Sequence, residues 1–485
     1  MMHARDDSIG LPESIEGEGS GRAAGVVRIA VVAALGGFLF GYDSAVINGA
    51  VAAVESTFHA DPVSLGFAVA SALLGAAVGA LAAGRVADRV GRLAVMKIAA
   101  VLFLASALVT GFAPELWVLV VGRIVGGLGV GMASVIAPAY IAEIAPARMR
   151  GRLASLQQLA IVTGIFISLL VDFLIASAAG GSAEPFWFGL GAWQWMFLMM
   201  AVPAVVYGVL ALTIPESPRY LVSQHRVDEA RTVLTSLFGP EKIETTIIRI
   251  QNTMERAVAP SWSDLKSPTG RVAGIVWVGL LLSMFQQFVG INVIFYYSNI
   301  LWEAVGFAEG DAFIFTVISA TINILTTLIA IATVDRIGRK PLLIIGSIGM
   351  TITLTTMAVV FGTAPVRDGA PVLEGAAGPI ALVAANLFVI AFGMSWGPVV
   401  WVLLGEMFPN RMRAAALSLA AAGQWVSNWL ITVSFPGLKD FSLGLAYGLY
   451  AAFALLSLLF VTRFVRETKG RSLEDMGEDV VAPIH

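Results

Sequence analysis

Two charged side chains stand where water is scarce. Asp43 falls inside an apolar run over 25–49, and Arg123 inside another over 117–142. A charge near a bilayer centre costs about 2.5–3.5 kcal/mol on insertion scales, so a charge retained there is a functional candidate by default. Each lies about six residues from the outer end of its run, which at about 1.5 Å per residue puts both roughly 9 Å below one surface. At equal depth the two attract, and the attraction offsets the desolvation that otherwise drives a buried carboxylate to take a proton. When Arg123 is drawn away, desolvation prevails and Asp43 binds a proton. The chemistry open to the pair is therefore reversible protonation; the alternative is a permanent pair that only orders the helices. Asp172, in the run 153–177, lies nearer the outer end and is expected to reach water.

Other chemistry finds no support. The four histidines, His3, His59, His225 and His485, fall in the termini or between apolar runs, and cysteine is absent. No nucleophile–base arrangement, metal-binding cluster or phosphate-binding loop is recognisable, so neither an enzyme, a cofactor nor a metal is expected.

The elements that position Asp43 and Arg123 follow from composition. The 485 residues are 58% apolar and 13% charged, against about 25% charged in soluble domains. A bilayer core of about 30 Å needs roughly 20 mostly apolar residues per helix. Such runs occur near 25–49, 66–84, 93–112, 117–142, 153–177, 193–214, 272–300, 312–334, 341–362, 378–405, 413–434 and 442–465. The expectation is an all-α membrane protein of twelve transmembrane helices. The first 24 residues are acidic and lack a basic, cleavable leader, so the first helix is expected to stay as an anchor.

Lys and Arg stay on the cytoplasmic side during insertion. With the N-terminus inside, every Lys and Arg except Arg123, Arg367 and Lys439 falls at the cytoplasmic face, and twelve spans bring the C-terminus back inside. The 24 Arg against 6 Lys, in an Ala- and Gly-rich chain, suggest a GC-rich bacterial source. The expected place is the inner (plasma) membrane, multi-pass, with both termini cytoplasmic.

The chain divides. A polar stretch over 215–271, helical in pattern at Asp228–Phe238 and Glu244–Val258, separates two groups of six spans, 25–214 and 272–465, flanked by tails 1–24 and 466–485. The halves repeat each other: Asp88-Arg-Val-Gly-Arg92 returns as Asp335-Arg-Ile-Gly-Arg339, and Glu143-Ile-Ala-Pro-Ala-Arg-Met-Arg150 as Glu406-Met-Phe-Pro-Asn-Arg-Met-Arg413. Duplicated halves enclosing a midplane site are a transporter architecture that works by rocking one half against the other.

At these motifs, and at Phe40-Gly-Tyr-Asp43, Pro215-Glu-Ser-Pro-Arg219, Gln286-Gln-Phe-Val-Gly-Ile-Asn292, Gly397-Pro-Val-Val-Trp401 and Glu467-Thr-Lys-Gly470, the sequence resembles the sugar porters of the major facilitator superfamily over nearly its whole length. The resemblance extends to bacterial proton-coupled glucose and xylose symporters and to facilitative glucose transporters. It implies proton coupling through Asp43 and Arg123, a monomer that carries a sugar and a proton, and no nucleic-acid partner. Three positions depart from the pattern: Gln194 where relatives carry Arg, Arg466 for a proline, and Leu93 for a basic residue.

A sugar offers hydroxyls that donate and accept and a weakly apolar ring face, so its site wants amides and an aromatic platform. Gln286, Gln287 and Asn292 lie in the seventh run, and a helix break at Gly290 would turn them toward one cavity. The resemblance adds Gln158, Asn323, Trp401, Gln424, Trp425 and Asn428, and makes Tyr296 and Tyr297 an outer gate. Ile165 stands where the xylose symporter has a glutamine, which tilts the substrate toward a hexose such as glucose. Ion pairs among Glu143, Arg150, Glu216 and Arg92, and their counterparts Glu406, Arg413, Glu467 and Arg339, are expected to latch the outward-facing state at the inner mouth. The expected function is proton-coupled monosaccharide uptake; the alternatives are a sugar uniporter and a non-transporting sugar sensor.

Overall fold

The computed structural model describes residues 20–145, 147–240, 243–256, 265, 272–367, 370–408 and 412–469. The tails expected at 1–24 and 466–485 lie mostly outside these residues. The apolar runs fold as helices because lipid offers no partner to a backbone N–H or C=O, so each segment must satisfy its own.

Before the linker come α1 (Ser20–Phe58), α2 (Pro62–Val90), α3 (Arg92–Gly111), α4 (Leu116–Ile144), α5 (Ala147–Ala179), α6 (Ala192–Met199) and α7 (Ala201–Ala211). The linker carries α8 (Pro218–Ser223), α9 (Val227–Phe238) and α10 (Ile243–Arg256). After it come α11 (Gly274–Phe288), α12 (Ile291–Ala304), α13 (Glu309–Ile337), α14 (Arg339–Gly362), α15 (Ala377–Gly393), α16 (Trp396–Met407), α17 (Arg413–Phe441) and α18 (Leu443–Phe464). A two-residue antiparallel hairpin, Val366–Arg367 with Ala370–Pro371, is the one sheet among the described residues.

Eleven spans among the described residues are long and apolar enough to cross a membrane. The twelfth is α17, 29 residues long, whose middle carries Gln424, Ser427 and Asn428 and is correspondingly less apolar. Three spans are each built of two helices in line. α6 meets α7 at Met200, where Pro203 lacks the N–H that would bond the carbonyl of Met199. α15 meets α16 just ahead of Pro398. α11 meets α12 at Gly290, whose φ of 81° is left-handed and open to glycine at no steric cost. That is the break expected at this residue.

Several helices overrun their apolar runs: α2 extends to Val90 past 84 and α17 to Phe441 past 434, and α1 overruns most. The first span was expected to stop at 49, but α1 runs on to Phe58. Residues 50–58 carry only Glu55 as a charge and continue as helix, so Asp43 sits deeper in its helix than the sequence suggested.

Within the first group α1 packs on α5 and α2 on α4; within the second, α14 packs on α18 and α11 on α17. The groups meet along α1–α12, α2–α17 and α5–α13. At the end far from the linker these seams carry polar ties: Asn48 Nδ2 donates to Phe295 O (3.2 Å), Asn48 Oδ1 accepts from Asn299 N (3.0 Å), and Ser182 N donates to Glu309 Oε1 (2.9 Å). The linker helices keep a small core of their own, with Leu221, Val222, Ala230, Leu234, Ile243 and Ile247. Arg231 ties α9 to α10 through Glu244 at 2.7 Å.

Candidate functional site

Asp43 and Arg123 meet, and both are buried. Arg123 Nη1 lies 3.5 Å from Asp43 Oδ2 and donates to the Asp43 backbone carbonyl at 2.6 Å. The carboxylate is thus paired loosely, and neither of its oxygens accepts a hydrogen bond. A small cavity opens beside the pair, lined by Asp43, Ser44, Val69, Ala72, Arg123 and Tyr296. Tyr296 comes from α12, beyond the linker, and its side chain pairs with Asn428 of α17 and Ser44 of α1. One tyrosine therefore touches both the charge pair and the amide-bearing helix of the other group.

The amides of the seventh span form a chain. Gln286 Nε2 donates to Trp396 O (2.8 Å) and Gly397 O (3.1 Å), at the break between α15 and α16. Gln287 Nε2 reaches Gln286 Oε1 at 3.5 Å, and Asn292 Nδ2 donates to Gln287 Oε1 at 2.5 Å. The last contact spans the left-handed turn at Gly290, without which a residue five positions on would face elsewhere. On α17, Asn428 Oδ1 accepts from Thr432 (3.1 Å), the Gln424 Oε1 is buried without a partner, and Trp425 meets Phe40 of α1 at 6.1 Å between rings. Tyr297 donates to Thr432 O at 2.9 Å and packs on Phe435.

Asn323, Gln158 and Trp401, like Gln424, Trp425 and Asn428 of α17, are not hydrogen-bonded to this chain among the described residues. Asn323 is buried on α13, with its carbonyl taken by Thr327 at 2.8 Å. Gln158 is half-buried on α5, next to Gln157, whose buried amide has no partner. Trp401 is 43% exposed, on the face of α16 that also carries Gly397 and the open Gly405. Asp172 is a correction. It does not reach water: it is wholly buried, its carboxyl filling the space where Gly49 of α1 has no side chain. The reason is the length of α1, which still covers α5 at a level the 25–49 boundary would have left at the rim.

At the linker end two clusters repeat almost atom for atom. Arg92 Nε and Nη2 donate to Glu143 at 3.1 and 3.0 Å, and Arg339 Nε and Nη2 donate to Glu406 at 3.0 and 2.7 Å. Glu216 accepts from the backbone N–H groups of Arg92 (3.1 Å) and Leu93 (3.2 Å), and Glu467 from those of Arg339 and Lys340 (both 3.0 Å). Ser217 donates to Glu143 at 2.5 Å, and Thr468 to Glu406 at 2.6 Å. Burial works against a charged Glu467, but four backbone N–H groups outweigh it and hold its carboxyl below the usual range. These pairs close within each group of helices, because each turn and its acidic partner end neighbouring helices of one bundle. The side chains of Arg150 and Arg413 lie outside the described residues. Ser217 and Thr468 escaped the sequence reading, though the spacing Glu-Ser and Glu-Thr after the sixth and twelfth spans could have shown them.

A bundle of membrane-spanning helices, internally repeated, with an ionisable pair and an amide chain in its interior, defines a secondary transporter. The sequence matches the profile described as "Sugar (and other) transporter" over residues 29–480, and the chain belongs to that family. It is 56% identical over 467 residues to the glucose transport protein of Synechocystis sp., covering 96% of this chain and 100% of that one. It is 37% identical over 491 residues to the D-xylose-proton symporter of Escherichia coli (strain K12), covering 93% and 95%. The solved xylose transporter of E. coli in a partially occluded inward open conformation matches with a TM-score of 0.79 at 37% identity, covering 92% of this chain and 99% of that one. The chain is thus a multi-pass membrane transporter of the major facilitator fold and not an enzyme.

Proposed function

We propose that the protein carries a monosaccharide, a hexose such as glucose, across the bacterial plasma membrane together with a proton. The observation that carries this reading is Tyr296, which lines the cavity of the Asp43–Arg123 pair and also contacts Asn428 in the amide set. Sugar bound at Gln286, Gln287, Asn292 and Asn428 moves the helices on which Tyr296 rides, and that movement changes how closely Arg123 approaches Asp43. Once the arginine retreats, desolvation favours a neutral Asp43, and the proton-loaded, sugar-loaded site can reorient. The two groups of helices, 25–214 and 272–465, rock about the site, with both termini cytoplasmic and the protein acting as a monomer. Relatives named for glucose and for xylose with proton support the substrate class, and Ile165 favours the hexose.

The substrate assignment is tested with purified protein in liposomes, preloaded with unlabelled glucose, xylose, galactose or inositol and given labelled glucose outside. Counterflow is expected to be strongest with glucose inside; counterflow with none of them would contradict a sugar carrier. In the same assay Gln287→Ala, which strips one amide from a buried chain, is expected to raise the KM for glucose roughly ten- to hundredfold, as about 1–3 kcal/mol of unmet hydrogen bonding requires. An unchanged KM would remove Gln287 from the sugar site.

A further inference from the structure

The pair at Asp43 leaves several buried polar atoms without a partner: both carboxylate oxygens, Arg123 Nε, and the hydroxyl of Ser106 on α3. Ser106 is wholly buried. A serine inside a helix ordinarily returns its hydroxyl to a carbonyl one turn back. Thr110, one turn further along α3, does so, onto Ser106 O at 2.6 Å. Ser106 does not. Its Oγ faces a notch on α4 at Gly126, where a Cβ would lie 2.5 Å from Ser106 Oγ and 2.7 Å from Asp43 Oδ1. The absent methyl lets hydroxyl and carboxylate share one space. Gly126 is three residues beyond Arg123, on the same face of α4, so the arginine and the notch address one carboxylate from two sides.

We infer that Ser106 is a positioning residue for proton release, the group that receives Asp43 once its proton has left. The hydroxyl donates to Oδ1, directly or through one water, and holds the carboxylate in its charged form until Arg123 closes on it again. A hydroxyl favours the ionised acid because a charge-assisted hydrogen bond is roughly twice as strong as a neutral one. The other groups facing Asp43 are Arg123 from α4 and Tyr296 from α12, while α2 contributes the apolar Val69, Ala72, Leu73 and Ala76. From α5, Asp172 lies against Gly49 and acts on Tyr42, and from α7, Tyr207 meets Gly36. The inference rests on the proton-coupled reading above.

The test is the pH dependence of glucose uptake in Ser106→Ala. Its midpoint is expected to move to higher pH by about one unit, a tenfold change in proton affinity. Exchange of labelled sugar between equal concentrations, which needs no proton release, is expected to stay within about twofold of wild type. Gly126→Ala, which fills the notch, should shift the midpoint the same way, and Ser106→Thr, which keeps the hydroxyl, should leave it in place. An unmoved midpoint in a Ser106→Ala protein that still exchanges sugar overturns the inference. A shift toward acid overturns it too, since the hydroxyl would then serve the protonated form. If wild-type uptake carries no proton at all, the proton-coupled reading falls first, and this inference with it.

Discussion

Asp43→Asn is expected to abolish accumulation of sugar against its gradient while sparing exchange. The amide matches the protonated carboxyl in shape and neutrality, so the loaded site can still reorient, but it neither releases a proton nor pairs with Arg123 as an anion. One charge moved through about 100 mV is worth about 2.3 kcal/mol, roughly a fiftyfold accumulation ratio, and the variant should lose all of it. Arg123, buried and left opposite a neutral partner, should make the variant less stable as well. The comparison is between steady-state sugar ratio and counterflow rate in the same liposomes. Accumulation equal to wild type would mean that the pair only orders α1 and α4.

Arg92→Ala is expected to be the most damaging change at the linker end. The guanidinium bonds Glu143 through two nitrogens and reaches Ala87 O at 3.2 Å with a third. Removing one partner of a largely buried ion pair costs about 3–5 kcal/mol, because the other charge stays behind unpaired. Gly91 tightens the arrangement: its φ is 96°, and a Cβ there would lie 2.3 Å from Glu216 Oε2, so the turn has no room to relax. A melting temperature in detergent lowered by several degrees is expected for Arg92→Ala. Arg92→Lys should recover little of it, since one ammonium cannot span Glu143 in the bidentate manner. A melting temperature equal to wild type in both would contradict the caged geometry. Arg339, in the same frame with Glu406 and Glu467, should respond in parallel.

Much of this was legible before the structure. Spans announce themselves because lipid forces long apolar helices, and the two repeated motifs revealed the duplication because a turn that needs Gly-Arg after an acid tolerates few alternatives. The break at Gly290 was readable for the same reason, as glycine among amides in an apolar run. What was not legible were matters of contact. The length of α1 past 49 hid the burial of Asp172, because an apolar boundary says where lipid ends and not where a neighbouring helix does. Ser106 and Gly126 carry no signal of their own: one serine and one glycine in helices rich in small residues acquire meaning only when α3 and α4 are set side by side. The direction of the ion pairs at the linker end was likewise invisible, since opposite charges at both mouths suit bonds within a bundle and bonds between bundles equally well.

External pH shows whether sugar and proton move together through Asp43. Cells lacking their own sugar uptake and expressing this protein would receive glucose in an unbuffered, anoxic suspension. Symport through Asp43 gives immediate alkalinisation of the medium with wild type and none with Asp43→Asn. Glucose entry in wild type without any change in pH would contradict it and leave a uniporter.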